Sequence, residues 1–363
     1  MNSKPKIAVI GLKGLPAFGG AASVGENIIT QLKDQFEFTV LSTQPYTDLK
    51  TGNYNGINQI VFKGRKKNAL TTFAYYLKSL LYCLFVNKFD LIHLHHSESG
   101  FITPFLRIKN KVITTFHGVF FNKTDPKFNR FINSFFRLSE KLNMKYSNLI
   151  ISVSSIDAQD LKNKYHKDVI YIPNGITLLE NKVKPQDDYL FFAAARIYEI
   201  KGLDILLDAV KLINVPIKIK IAGDLDQIKS YRSKILLSAK NLDIEFLGLI
   251  KDKKELLKYI NNAKLFIFPS LFEAMSMMLL EAASCKTPII ASDIASNKAI
   301  FNESEVLFFR NKDHQDLANK IHWALENYST METKSVKAFE KLKNEYRLDI
   351  IAHRYKKLYN SIK

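Results

Sequence analysis

Short apolar runs alternate with longer segments of helical periodicity along most of the chain. The runs are predicted to be buried strands, for example Ile7 to Ile10, Lys111 to Phe116 and Leu265 to Phe268. Such alternation is typical of parallel sheets that are covered by helices. The polar stretch from Glu180 to Asp188 is predicted to be a linker, so we expect one α/β domain over residues 1–180 and a second from residue 181 onward.

One predicted helix has an apolar stripe of membrane-like character. The stripe consists of Leu70, Phe73, Leu77, Leu80, Leu81 and Leu84. The surrounding stretch from Thr71 to Val86 suggests a transmembrane span, but Lys78 lies at its centre and it is shorter than the roughly 20 residues that a span requires. We therefore expect a docked or interfacial helix.

A second predicted helix, Lys127 to Asn143, has an apolar stripe beside a basic one. The apolar members are Phe128, Phe131, Phe135 and Leu142, and the basic members are Lys127, Arg130, Arg137 and Lys141. This combination suits a helix that lies on anionic lipid headgroups. The alternative is an ordinary surface helix whose apolar stripe packs inward while its charges are solvated.

Charge and cysteine content narrow the class of protein. The net charge is +18, and residues 1–180 carry 23 Lys and Arg against 12 Asp and Glu, so an anionic partner is expected. Anionic lipid and nucleic acid are both candidates, but no nucleic-acid-binding motif is present and nucleic acid is not expected. Cys83 and Cys285 lie far apart, which favours a reduced, cytosolic protein, and the first strand begins too early for a signal peptide.

The stretch from Phe268 to Asp293 concentrates the candidate chemistry. Glu273 is predicted on a loop after a strand, and Glu281 lies about one turn into the following helix. The start of that helix offers unpaired N–H groups that suit a diphosphate. Arg196 and Lys201 follow an earlier strand and can converge on the same kind of anion.

The glycine-rich loop after the first strand is a further candidate phosphate site. It contains Gly11, Gly14, Gly19 and Gly20 and precedes a predicted helix, Ala22 to Lys33. Its spacing differs from Gly-x-Gly-x-x-Gly, so a dinucleotide fold is not indicated. A purely structural turn is the alternative explanation of these glycines.

Together these motifs resemble the retaining, nucleotide-sugar-dependent glycosyltransferases of family 4, whose signature is Glu-x7-Glu. The resemblance implies the GT-B fold: two doubly wound, Rossmann-like domains that face each other across a cleft. It also implies that a C-terminal helix, within residues 345–363, crosses back onto the first domain, which leaves residues 181–344 as the nucleotide-sugar-binding domain.

The resemblance also assigns roles to individual residues. Glu273 would hold a sugar hydroxyl, Glu281 the ribose hydroxyls, and His117 would line the reacting face of the sugar. The leaving diphosphate would be stabilised by Arg196, Lys201, the Gly19–Gly20 loop and the N–H groups near Met277 and Met278. Ile250 would line the base pocket, and Ser276 would contact the donor. The family departures Ala274, Ser276 and Lys286 are expected to affect donor choice or activity.

We therefore expect an enzyme that transfers a sugar from a nucleotide-sugar to a lipid-linked glycan in cell-surface polysaccharide biosynthesis. The expected donor is a UDP-sugar. The enzyme would need no cofactor or metal and would work on the cytoplasmic face of the membrane as a peripheral protein. The alternatives are an epimerase or hydrolase on the same scaffold, with Glu26 and Glu98 as acid/base candidates, or a non-catalytic basic protein that binds membrane or nucleic acid. Two weaker metal hypotheses involve His93, His95 and His96, or Asp224 and Asp226.

Overall fold

The computed structural model describes residues 4–17, 19–119, 130–179, 187–213 and 216–362. The chain forms two compact units. The first consists of Met1–Gly175 together with Leu348–Lys363, and the second of Ile176–Arg347.

The first unit contains an eight-stranded sheet with the order β3-β4-β2-β1-β5-β6-β7-β8. All neighbouring strands are parallel except the β3–β4 pair, which is antiparallel. The strands are β1 Lys6–Lys13, β2 Glu37–Thr43, β3 Gly52–Tyr54, β4 Ile57–Phe62, β5 Leu91–His95, β6 Lys111–Phe116, β7 Leu149–Ser152 and β8 Ile170–Tyr171.

The second unit contains a fully parallel sheet of six strands with the order β11-β10-β9-β12-β13-β14. Its strands are β9 Tyr189–Arg196, β10 Lys218–Asp224, β11 Ile244–Gly248, β12 Leu265–Phe268, β13 Ile289–Ser292 and β14 Leu307–Phe309. Because β9 lies between β10 and β12, segments distant in sequence become neighbours at the sheet edge.

Helices connect the strands in both units. They are α1 Gly20–Leu32, α2 Ala69–Leu81, α3 Thr103–Leu106, α4 Arg130–Tyr146, α5 Ser155–Tyr165, α6 Leu203–Val210, α7 Lys229–Ser238, α8 Lys253–Asn262, α9 Met277–Ser284, α10 Ala295–Ile300, α11 His314–Glu326, α12 Tyr328–Lys341 and α13 Leu348–Ser361. The central strands are buried on both faces, as in β5, where all five residues are inaccessible.

Helix α13 belongs to the first unit although it ends the described chain. Tyr355 and Tyr359 are buried in the first core, and the Tyr359 ring packs edge-on against Phe36 with ring centroids 5.4 Å apart. The predicted two Rossmann-like α/β domains are confirmed. The antiparallel strand β3 was not predicted.

Much of the apolar stripes of α2 and α4 is exposed. In α2 the buried residues are Tyr75, Tyr76 and Ser79, whereas Leu70 is 75% exposed. In α4, Phe131 is 86% exposed. Phe135 and Leu142 of the same stripe are half-buried, so the stripe faces outward at Phe131 and only partly inward further along the helix. The predicted residues Lys127 and Phe128 lie outside the described residues.

Candidate active site

The carboxyl edge of the second sheet brings three of the predicted residues together. Arg196 ends β9, Lys201 follows it in a short 3-10 turn, and Glu273 lies in the loop after the adjacent strand β12. The Lys201 ammonium group and a Glu273 carboxylate oxygen are 2.6 Å apart, with both side chains largely buried. Arg196 is exposed at the same edge. This edge thus carries an ordered cation–carboxylate pair and a solvent-accessible guanidinium group at the end of β9.

Close backbone packing fixes the loop that carries Glu273. Gly202 has φ +68, and a Cβ there would approach the Pro269 carbonyl oxygen to 2.1 Å. The Leu271 N–H donates to the Ile200 carbonyl oxygen at 2.8 Å. Glycine is required at Gly202 because both its left-handed backbone and its surroundings exclude a side chain. The two segments that carry Lys201 and Glu273 are therefore held in register.

Glu281 lies in α9 as predicted and is 5% exposed. One of its carboxylate oxygens contacts the Lys253 ammonium group at the start of α8. The other oxygen, Oε2, is buried and has no hydrogen-bond partner among the described residues. A buried acceptor without a donor is costly, so Oε2 is suited to receive a hydroxyl group.

Lys253 is the functional candidate that sequence reasoning missed. Its position shortly after the carboxyl end of β11 was a usable signal, because ligands bind at that edge of parallel sheets. Ile250, also after β11, is half-buried, and its place in a base pocket stays a prediction.

The first turn of α9 retains its dipole and free N–H groups. Ser276 occupies the N-cap position but its side chain makes no capping hydrogen bond. The N–H groups of Met277 and Met278 therefore have no partner from that side chain, as an anion site at this helix start requires. Lys286 lies beyond the opposite end of α9 with φ 54. A left-handed backbone of this kind favours glycine, so a lysine at this position is unusual.

The glycines of the first loop divide into two groups. A Cβ at Gly11 or Gly14 would lie within 2.5 Å of a backbone carbonyl oxygen, so packing requires both glycines. A Cβ at Gly19 or Gly20 would meet no atom within 4 Å. The open backbone at Gly19 and Gly20 suits the approach of a ligand, as expected for this loop. Their role in donor binding stays a prediction.

Four histidines gather at the carboxyl ends of β5 and β6. His117 Nε2 and His95 Nδ1 are 3.0 Å apart, and the His96 ring lies 5.2 Å from that of His117. His93 bonds to the Tyr359 hydroxyl and to Thr115 Oγ1, each at 2.8 Å. Burial lowers the pKa of His93 to about 3, and lowers those of His95 and His117 well below the usual value. His117 is therefore a neutral imidazole at neutral pH.

This cluster predicts a steep loss of stability in acid. A histidine whose pKa is depressed by folding takes up its proton on unfolding, so its stabilising contribution is present above the unfolded pKa and lost below it. Each such group contributes about 1.4 kcal/mol per pH unit below about pH 6. For His93, His95 and His117 together we expect the free energy of unfolding to fall by about 4 kcal/mol per pH unit between about pH 6 and pH 4. Urea unfolding at several pH values measures this slope.

The control is a histidine outside the cluster. His353 is exposed on α13. His95→Gln should reduce the slope by about 1.4 kcal/mol per pH unit, whereas His353→Gln should leave it unchanged. Equal slopes in the His95 variant and the parent protein would show that His95 is not neutral in the folded state.

The acid/base candidates of the epimerase or hydrolase alternative have other partners. Glu26 accepts the Ala17 N–H at 2.7 Å, and Glu98 forms an ion pair with Lys13 at 3.2 Å. Both carboxylates thus contact the end of β1 or the loop that follows it. Asp226 pairs with Arg232 at 2.8 Å. Among the described residues, no group of three His, Cys, Asp or Glu side chains is placed to hold a metal ion.

Comparison with known structures gives a fold match over the whole length. Sucrose-phosphate synthase from Thermosynechococcus elongatus is 19% identical with a TM-score of 0.86, each chain being 99% covered. HepE from Anabaena, in complex with UDP and glucose, is 17% identical with a TM-score of 0.79, covering 98% of this chain and all of its own. Both likenesses show the fold.

Comparison of sequences identifies the family. Residues 18–178 match Glycosyltransferase Family 4, and residues 177–351 match Glycosyl transferases group 1. A relative from Escherichia coli, a UDP-Gal:alpha-D-GlcNAc-diphosphoundecaprenol alpha-1,3-galactosyltransferase, is 25% identical in an alignment of 283 residues that covers 68% of this chain and 68% of the relative. The two matched regions run almost without a break through both units, and the chain therefore belongs to the family 4 glycosyltransferases with the GT-B fold.

Proposed function

We propose that the protein is a retaining hexosyltransferase that moves a sugar from a UDP-sugar to a lipid-linked glycan acceptor in cell-surface polysaccharide biosynthesis. The observation that carries the donor half of this proposal is the buried Glu281 carboxylate in α9, one oxygen of which has no hydrogen-bond partner in the part of the chain that the structure describes. A pair of ribose hydroxyls would supply the missing donor. The Escherichia coli relative and the UDP complex of HepE support a uridine nucleotide and a lipid-diphosphate acceptor.

In the proposed reaction the bond between the sugar C1 and the diphosphate oxygen breaks, and a bond from C1 to the acceptor oxygen forms on the same face. The acceptor hydroxyl gives its proton to the leaving phosphate oxygen, so no separate base is required. Negative charge develops on the diphosphate, where Arg196, Lys201 and the first turn of α9 stabilise it. Glu273 holds a sugar hydroxyl, and the neutral His117 imidazole contacts the sugar.

The Lys201–Glu273 ion pair has a place in this scheme. While Lys201 bonds to Glu273 its charge is partly compensated, and the incoming diphosphate competes for the same ammonium group. A carboxylate beside the cation also orients it, because the 2.6 Å contact restricts a flexible four-carbon side chain. We propose that both residues serve the donor and that the protein requires no metal ion.

Because the proposed acceptor is anchored in a bilayer, we propose that the protein works as a peripheral protein on the cytoplasmic face of the cell membrane. The excess of basic residues in residues 1–180 favours attraction to anionic lipids.

Thermal unfolding in the presence of UDP, GDP and dTDP tests the donor half of the proposal. A nucleotide that binds only the folded protein raises the melting temperature by mass action. We expect UDP to give the largest shift and Glu281→Gln to abolish most of it, since an amide cannot accept two hydroxyl hydrogen bonds in the same way.

The matched control is Glu255→Gln, which changes an exposed glutamate on α8. The rise in melting temperature that UDP causes in this variant should equal the rise in the parent protein. A folded parent protein that none of the three nucleotides stabilises would contradict the proposed function. Stabilisation by GDP or dTDP in preference to UDP would contradict the proposed donor.

A further inference from the structure

Helix α4 differs from an ordinary surface helix, because it buries polar side chains and exposes apolar ones. Its inward face carries Asn133, Ser139, Glu140 and Asn143, all of them inaccessible to solvent. Asn143 accepts the Thr103 hydroxyl at 2.6 Å and donates to the Ser97 carbonyl oxygen at 3.1 Å. Surface helices ordinarily bury their apolar stripe. Here buried polar side chains take most of that position beside Met144, and Phe131 and Leu138 are left outside.

The outward face of α4 combines apolar and basic side chains. Phe131 and Leu138 are 86% and 55% exposed and lie seven residues apart, so they share one side of the helix. Arg130, Arg137 and Lys141 are exposed along the flank of that side. An apolar stripe with a basic border is the pattern of helices that lie in the interfacial region of a bilayer.

Helix α2 repeats the arrangement. Tyr75 anchors its inner face by accepting the Gly11 N–H and donating to the Leu41 carbonyl oxygen, both at 2.8 Å. Leu70, Phe73, Leu77 and Leu81 remain exposed on the other face. By length and composition, Ala69–Val86 could cross a membrane, yet only 22% of it is buried in the protein. The helix therefore offers a long apolar face to the solvent.

Aromatic contacts join the two faces. The Phe73 ring stacks on Phe101 with centroids 5.0 Å apart, and Phe101 in turn contacts Phe135 of α4 at 5.5 Å. Phe105 and Ile108, at and just after the end of α3, are also exposed. Ten of the eighteen large apolar side chains exposed in the described chain fall between residues 70 and 138. We call this continuous surface of α2, α3 and α4 the apolar face.

The charges around the apolar face specify its partner. Residues 63–119 and 130–146 contain thirteen Lys and Arg but three acids; of those, Glu140 is buried and Glu98 is half-buried and paired with Lys13. Lys109 also lies over the exposed Phe85 ring, 5.2 Å from its centroid. A second copy of this chain would bring like charges together. A surface of anionic headgroups above an apolar layer is complementary to both components.

We infer that the apolar face is the membrane-docking surface of the protein, with the exposed residues of α2 and α4 inserted among the acyl chains of an anionic bilayer. The inference rests on the proposed function, because it names the surface through which the enzyme reaches its lipid-linked acceptor. The binding of vesicles is nevertheless measured without sugar transfer, so the two can fail separately.

Sedimentation with vesicles tests the apolar part of the face. The full-length protein should bind vesicles that contain about one third phosphatidylglycerol at least tenfold more tightly than vesicles of phosphatidylcholine alone. Leu77→Ser combined with Phe131→Ser should weaken binding to the anionic vesicles at least tenfold, because it removes two inserted side chains. The control Leu237→Ser changes a leucine that is 65% exposed on α7 and should leave binding unchanged.

A second pair of variants tests the basic border. Arg137→Gln combined with Lys141→Gln should weaken binding about fivefold for each charge, and the loss should shrink at high salt. Lys240→Gln combined with Lys337→Gln removes the same charge from exposed positions in the second unit and should have little effect. These matched pairs separate local docking from the effect of net charge.

Three results would overturn the inference. One is equal binding to neutral and anionic vesicles, and another is an equal loss in the control variants. The third is a dimer that the Leu77→Ser, Phe131→Ser variant converts to a monomer, which would assign the apolar face to a second copy. Stabilisation by UDP should be unchanged in all these variants. If UDP still stabilised a protein that bound no vesicles, the proposed donor site would stand and the inferred docking surface would be wrong.

Discussion

Replacing Lys201 with alanine is expected to lower the rate of sugar transfer about 10²–10³-fold, because it removes one electrostatic stabiliser of the leaving diphosphate. The substitution also leaves the Glu273 carboxylate without its partner at 2.6 Å, so the carboxylate that we propose holds the sugar loses its orientation. The rate is measured as release of UDP from a panel of UDP-sugars. Circular dichroism and the melting temperature report whether the second unit remains folded.

Lys211→Ala provides the comparison. Lys211 also carries an ion pair in the second unit, with Asp208 at 2.8 Å, but this pair is exposed. Its removal should change neither rate nor stability appreciably, since exposed ion pairs contribute about 0–1 kcal/mol. If Lys201→Ala kept transfer within threefold of the parent protein, the Lys201–Glu273 pair would be a structural contact and the proposed phosphate site would be wrong.

Replacing Gly100 with alanine is expected to destabilise the first unit by about 3 kcal/mol or more, or to prevent its folding. The new methyl group would lie 1.7 Å from the Ser139 carbonyl oxygen of α4 and 2.4 Å from its carbonyl carbon. Backbone atoms cannot rotate away as the end of a flexible side chain can. Helix α4 would have to move outward, and its buried polar network would lose hydrogen bonds. Urea unfolding measures the change.

Gly20→Ala is the matched control for Gly100→Ala. The added methyl group meets no atom within 4 Å at the first residue of α1. Stability should be unchanged or rise by up to about 1 kcal/mol, because alanine restricts the unfolded chain. Equal melting temperatures for Gly100→Ala and Gly20→Ala would show that α4 is not seated tightly on the turn at Gly100.

The sequence carried enough information to predict the fold and parts of the site closely. The bounds predicted for β12 and the start of α9 are confirmed, because Pro269 and the polar loop after it interrupt the apolar pattern where the strand ends. Glu273 and Glu281 accordingly occupy the expected loop and helix. Local signals of this kind depend on neighbouring residues and can be read directly from the chain.

Tertiary contacts set the features that were not predicted. The partners of both glutamates, Lys201 and Lys253, depend on which strands are adjacent, and β9 neighbours β12 across an intervening stretch of sequence. The inner face of α2 was also not predictable from periodicity. Tyr75 and Tyr76 supply both apolar rings and hydroxyl groups, so a simple apolar pattern ranks them below the leucines that prove to be exposed.

The contribution of α13 to the first core has a consequence for synthesis on the ribosome. The second unit is one contiguous stretch, Ile176–Arg347, and it emerges in full before α13 does. The first unit, although translated earlier, lacks Tyr355 and the Tyr359 hydroxyl that bonds to His93 until the last helix has left the exit tunnel. The order of folding should therefore reverse the order of translation, and nascent chains should need protection at the exposed β1–β2 surface until α13 has emerged.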